Sequence, residues 1–270
     1  MHRHAGMILG ILGIVTLAGC TPDLGNAPPA EEPPVGDDDN ATESGPVDCW
    51  SIGEDFWDDS YNVYRLDPEA ATAELVMALP SELWAMPALG ALDGVIYAFD
   101  DDSERMRSID LSSGQVGSRI IDVPEFHQVL GLVNLGGGLT VLAEDEEVQL
   151  LDLDLESGDT TVRWALPAGP YAFGSDADLL FGLHPSGGLG RWRLSSAGFE
   201  DLGPLTLGDL TGYADGVEVL DDVVLVILND ELHRFDAATG ASLGPPTLIV
   251  GPGDASFFVG LVCAEAFTQE

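Results

Sequence analysis

Residues 89 to 117 read LGALDGVIYAFDDDSERMRSIDLSSGQVG, three short strands joined by two different turns, and nearly everything after residue 47 is a degenerate copy of them. Ile96 and Ala98, then Ile109 and Leu111, recur at the period of two expected of strands. Turn residues bound these runs: Asp93-Gly94, Asp100 to Glu104, and Ser112 to Gly114. In the last bend an Asp bonds backbone N–H groups, and a Gly accepts positive φ without a Cβ clash.

That bend recurs at Asp67, Asp110, Asp154, Arg193 and Asp236, in steps of 43, 44, 39 and 43 residues. A large aromatic following each fourth strand recurs at Trp84, Phe126, Tyr171, Tyr213 and Phe257, in steps of 42, 45, 42 and 44. The first tight turn of each unit falls at Asp93-Gly94, Gly136 to Gly138, Asp176 to Asp178 and Asp221-Asp222. A shared period of about 40 to 45 residues is that of a propeller blade, a four-stranded sheet. The expected fold is therefore all-β, a five-bladed β-propeller of four-stranded blades spanning 47–270. The first-turn series lacks a fifth member, and the gap locates the closure of the ring. The last strand, FFVGLVCAEAF, becomes the innermost strand of the blade whose outer three strands begin at CWSIGED.

Cys49 and Cys263 flank that missing turn. A disulfide between them replaces the covalent link that the other blades have, and by chain entropy it is worth roughly 5 kcal/mol for a loop of about two hundred residues. Two unrelated buried thiols are the alternative.

The chain starts MHRHAGMILGILGIVTLAGC, with a weakly basic beginning, an apolar run from Met7 to Ala18 and a small-residue end. The run is short for a membrane span and has the form of a secretory signal, 1–19. Its ending, Leu17-Ala18-Gly19-Cys20, resembles the lipobox of bacterial lipoproteins. That resemblance implies a diacylglycerol-modified Cys20 as first mature residue; Thr21, where Asp signals inner-membrane retention, implies the outer membrane. Residues 20–46 are acidic and Pro-rich without apolar periodicity, as in a solvated tether. Such a tether spans about 25–30 Å on average.

Formal charge is −38, from 47 acids against nine basic residues, every one an Arg. Phosphate backbones repel such a surface, so nucleic acid is not an expected partner, and membrane contact is expected only through the lipid. Solubility in salt is the plainest use of this charge.

In a propeller, alternate loops share a face, so the loops between second and third strands lie beside the crossings between blades. They contain Asp55, Asp58 and Asp59; Asp100, Asp101, Asp102 and Glu104; Glu144, Asp145, Glu146 and Glu147; and Asp230 and Glu231. Such a face suits Ca²⁺, which takes several oxygen ligands, or a basic partner; a solvated rim is the plainer reading. The fourth loop, GLHPSGGLGRWRL, replaces the acids and offers His184 and Arg191 as polar contacts, or His184 as a turn residue beside Pro185. The crossing aromatics either line the mouth of the axial channel or wedge between blades as core, the commoner arrangement. Asp152 to Asp159, DLDLESGD, fails the EF-hand pattern, because Ser157 and Arg163 stand where Gly and Glu belong.

The recurrent Leu/Phe-Asp-x-x-(Ser/Thr)-Gly outer turn resembles the quinoprotein-like and WD40-like propeller superfamily, which implies a scaffolding or ligand-binding role. The vicinal cysteine pair of catalytic quinoproteins is absent, and no Ser-His-Asp, Cys-His or metal-ligand spacing occurs. The expected protein is a monomeric, non-catalytic binding module for an envelope protein or glycan, without cofactor. A calcium-dependent module and a carbohydrate-active hydrolase, since five-bladed propellers include glycosidases, are the alternatives.

Overall fold

The computed structural model describes residues 47–55, 60–80, 88–100, 105–121, 128–144, 147–166, 169–195, 198–251 and 256–265. Its strands form five antiparallel sheets. The second in chain order joins β4 (Ala88–Leu92), β5 (Val95–Asp100), β6 (Arg105–Asp110) and β7 (Gln115–Ile120) as a meander. The third does the same with β8 (Gln128–Asn134), β9 (Leu139–Glu144), β10 (Val148–Leu153) and β11 (Thr160–Leu166). The fourth comprises β12 (Ala172–Asp176), β13 (Leu179–Leu183), β14 (Gly188–Ser195) and β15 (Gly198–Asp201), with β16 (Leu205–Thr206) also on β14. The fifth comprises β17 (Gly216–Leu220), β18 (Val223–Leu228), β19 (Glu231–Asp236) and β20 (Thr247–Leu248).

The first sheet is composite: β1 (Val47–Asp55), β2 (Ser60–Asp67) and β3 (Thr72–Ala78) receive β21 (Ser256–Glu265) as their innermost strand. Strands β4, β8, β12, β17 and β21 pack each against the next, and β21 against β4, closing a ring of five. This is the expected five-bladed propeller. In the β1/β21 pair Cys49 lies opposite Cys263, and the two form a disulfide with a Cα separation of 4.0 Å. The buried Ser51 hydroxyl adds a bond to the Gly260 carbonyl, 2.7 Å, where the pairing register shifts.

Alternate side chains of one strand enter different seams, which is why period two recurs so faithfully. Ile96 and Ala98 pack against Trp50, Ile52 and Val63 of the first blade. Phe99, one position past Ala98 and so of the opposite phase, packs against Val129 and Val141 of the third. Each such buried aliphatic or aromatic side chain is worth about 1.5–3 kcal/mol. Inner strands are flanked by blades on both sides and so are buried over most of their length, whereas outer strands such as β7 are mostly exposed.

Each inner strand carries one glycine, Gly90, Gly131, Gly174, Gly216 or Gly260, and at all but Gly131 a Cβ would come within 3.0 Å of a neighbouring atom. A Cβ on Gly174 would stand 2.8 Å from the Glu218 Cα and the Val217 carbonyl, and one on Gly216 2.7 Å from the Leu261 nitrogen.

The outer turns are Asp-capped as expected. Asp110 accepts from the amides and hydroxyls of Ser112 and Ser113, and these bonds, the Ser113 hydroxyl first, hold its carboxyl at about 2. Asp154 and Asp236 accept in the same way, from the Glu156 and Ser157 amides and from Thr239. The fourth blade departs from this pattern. There β14 runs two residues past Arg193, and the outer edge is split between β15 and β16.

Candidate functional site

The axis opens at two mouths of different character. On the crossing face, where inner strands begin, a cavity of about 350 Å³ is floored by Val129, Leu130, Val217 and Leu261 and edged by Gln128, Glu144, Tyr171, Tyr213 and Asp215. The opposite mouth, of about 920 Å³, is lined by Asp93, Asp110, Asn134, Asp176, Glu218 and Asp221.

Tyr213 stands on the crossing-face rim at 73% exposure, against the expectation that the crossing aromatics wedge between blades. Its surroundings are nonetheless fixed. The Gly212 amide donates to the Pro185 carbonyl (2.8 Å), the Ala214 amide to the Tyr171 hydroxyl (2.8 Å) and the Asp215 amide to the Ile227 carbonyl (2.8 Å). The Tyr171 hydroxyl in turn donates to the Gly212 carbonyl, and its ring lies 4.8 Å from that of Tyr213 at a tilt of 56°. The Gly260 amide donates to the Asp215 carbonyl, tying the segment to the innermost strand of the next blade. Of the remaining crossing aromatics Phe257 is half-buried, and Trp84 and Phe126 lie outside the described residues.

The divergent loop at His184 is the strut beneath this segment. The His184 amide donates to the Gly188 carbonyl and the Gly187 amide to that of His184, closing a tight turn from which Pro185 and Gly187 accept the Gly212 and Leu207 amides. The half-buried His184 imidazole packs against Gly169, where a Cβ would come within 2.3 Å of it. Arg191 is engaged in the scaffold. Its guanidinium donates to the carbonyls of Gly203 and Leu202, each at 3.3 Å, and of Ala237 at 3.5 Å, filling the break between β15 and β16.

The acidic series is brought together only in part. Glu144 edges the cavity, while Glu147 is exposed and away from its lining. Asp230 occupies a two-residue turn with Asn229, both at positive φ, and its carboxylate accepts the Phe258 amide at 3.0 Å. Glu231 lies 3.8 Å from His233 on β19. Asp100 ends β5 opposite Arg105. Asp58, Asp59, Asp101, Asp102, Glu104, Asp145 and Glu146 lie outside the described residues. Among the described residues no three of His, Cys, Asp and Glu converge as metal ligands.

Asp215 escaped the sequence reading. Its carboxylate accepts the Asn229 amide at 3.1 Å, and burial, with Asp230 nearby, raises its pKa above the usual carboxylate range. Glu218 escaped it too. Its side chain is buried between β12, β17 and β21, where Oε1 accepts the amides of Ser175 (3.1 Å) and Val219 (2.9 Å). Burial pushes this carboxyl up to about 8 despite those bonds. Asp176 beside it is raised as well, first by burial and then by Asp221 and Asp178.

No protein-family model matches the chain, and no curated protein is similar to it. A chain in the crystal structure of a nidogen/laminin complex superposes with a TM-score of 0.55 at 13% identity, covering 81% of this chain and 98% of that one. A chain of the mitotic checkpoint complex, at TM-score 0.42 and 14% identity over 59% of this chain and 50% of that one, is too distant to carry an argument. At such identities likeness establishes fold alone. The chain is a β-propeller. Its disulfide indicates an oxidising compartment, extracellular or periplasmic.

Proposed function

We propose that this propeller is a non-catalytic binding module of the bacterial envelope, anchored by a lipid on Cys20, and that it receives its protein or glycan partner at the crossing-face mouth. One observation carries the reading: Tyr213 is the most exposed large hydrophobic side chain among the described residues, yet the backbone beneath it is held by bonds to four separate segments. An aromatic group fixed before its partner arrives loses little entropy on binding, which is how aromatic anchors act in interfaces. The address agrees with it, since the disulfide belongs outside the cytoplasm.

The test compares the full chain with Tyr213→Ala on arrays of glycans and of envelope-protein peptides. Ligands retained by the first and lost by the second are expected. Equal retention of every ligand by both proteins would refute this mouth as the binding site.

A further inference from the structure

We propose that the crossing-face cavity takes a cationic group, an ammonium or guanidinium on an aliphatic stem; the proposal rests on the reading of this mouth as the binding site. Its charged lining consists of the carboxylates Glu144 and Asp215, with no Arg or His among the described lining residues. Asp215 lies half-buried, with the Asn229 amide on one oxygen and another carboxylate, Asp230, as its charged neighbour. A buried carboxylate with a like charge nearby gains most from a mobile positive partner. The direction of its titration, upward through burial, expresses the same deficit.

The aromatic pair points the same way. The Tyr171 hydroxyl is spent on the Gly212 carbonyl and the Ala214 amide, so this residue offers a ring rather than a hydrogen-bonding group. Tyr213 leans on it and exposes its own ring. Tyrosine faces attract cations through the ring quadrupole. Below them Val129, Leu130, Val217 and Leu261 present an apolar floor that matches methylenes. A cavity of about 350 Å³ admits one such side chain. A chain with no Lys and a charge of −38 draws cations toward the mouth at long range.

Two sources offer this chemistry, a Lys or Arg side chain of a peptide and a free polyamine. The full chain is titrated calorimetrically with N-acetyl-arginine amide, N-acetyl-lysine amide and spermidine, with oligomers of N-acetylglucosamine as the neutral arm. Saturable binding of cations that weakens as NaCl rises is expected. Tyr213→Ala should weaken it about 3- to 30-fold. Asp215→Asn, whose amide oxygen still accepts from Asn229, should weaken it roughly 10- to 100-fold while the melting temperature at neutral pH holds or rises, because a disfavoured charge is removed. Preference for the amino-acid amides assigns a peptide source, and preference for spermidine a polyamine. Cation binding that is absent, or indifferent to both substitutions, overturns the proposal. Binding of the neutral sugars that Tyr213→Ala abolishes would overturn it while leaving the mouth as the binding site.

Discussion

Glu218→Gln tests how the inner ring holds a carboxyl away from water. In the folded protein this group titrates at about 8 because burial disfavours the charge, whereas its ordinary value is 4.5. The folded state therefore keeps its proton at pH values where the unfolded chain has lost it, and stability falls as pH rises from about 4.5 through 8. At about 1.4 kcal/mol per pH unit, the loss reaches about 4 kcal/mol at pH 8. Glutamine keeps a carbonyl oxygen for the Ser175 and Val219 amides and has no charge to bury, while its amide nitrogen cannot accept from the Cys263 amide, a cost that is the same at every pH. Relative to the wild type, the variant should gain about 3–4 kcal/mol between pH 5 and pH 8. Urea unfolding of both proteins at pH 5, 6, 7 and 8, followed by tryptophan fluorescence, reads the difference. Subtracting one curve from the other cancels the remaining titrations. A difference that stays flat across this range would show that Glu218 is not protonated in the fold, and the reasoning from burial would be wrong.

Reduction of Cys49–Cys263, or Cys49→Ser with Cys263→Ser, should lower stability by up to roughly 5 kcal/mol, since it frees a loop spanning 214 positions; an unchanged urea midpoint would refute the bridge as a staple. Gly174→Ala should cost about 1–3 kcal/mol by overpacking, whereas a Cβ on Gly131 meets Phe173 at a tolerable 3.4 Å; equal melting temperatures for the two variants would dissolve the distinction. NaCl should raise the melting temperature by screening 47 acids against nine bases, and CaCl₂ should add nothing beyond MgCl₂ at matched ionic strength. A calcium-specific rise reversed by chelator would instead assign a site to the acidic loops.

Much of the fold was legible because it is written in local chemistry. Asp110 and Asp154 announce outer turns by bonding amides two and three residues on, and Asp93-Gly94 adopts the positive φ values of its hairpin. The glycines of the inner strands carry the same period, with steps of 41, 43, 42 and 44, but are hidden among 33 glycines. The candidate site was less legible. Glu218 sits at an alternating position of GVEVL, which reads as an outward face; an innermost strand has a neighbour on each side and no such face. Tyr213 reads as a core wedge by analogy with its series and emerges exposed, because the loop at Pro185 and the strands at Ile227 and Gly260 set its backbone. Arg191 reads as a ligand contact and serves the broken edge of its own blade.

By itself, then, the sequence determined the number of blades, the composite blade that closes the ring, and the cysteine pair across it. Those depend on periodicity and on residues whose preferences act over a few positions. The tertiary structure alone decided which carboxylates meet at a mouth, which are bound into turns, and which aromatic stands free. Each of these depends on backbone amides and carbonyls supplied by segments distant in the chain, and a main-chain group has the same chemistry whatever side chain it carries.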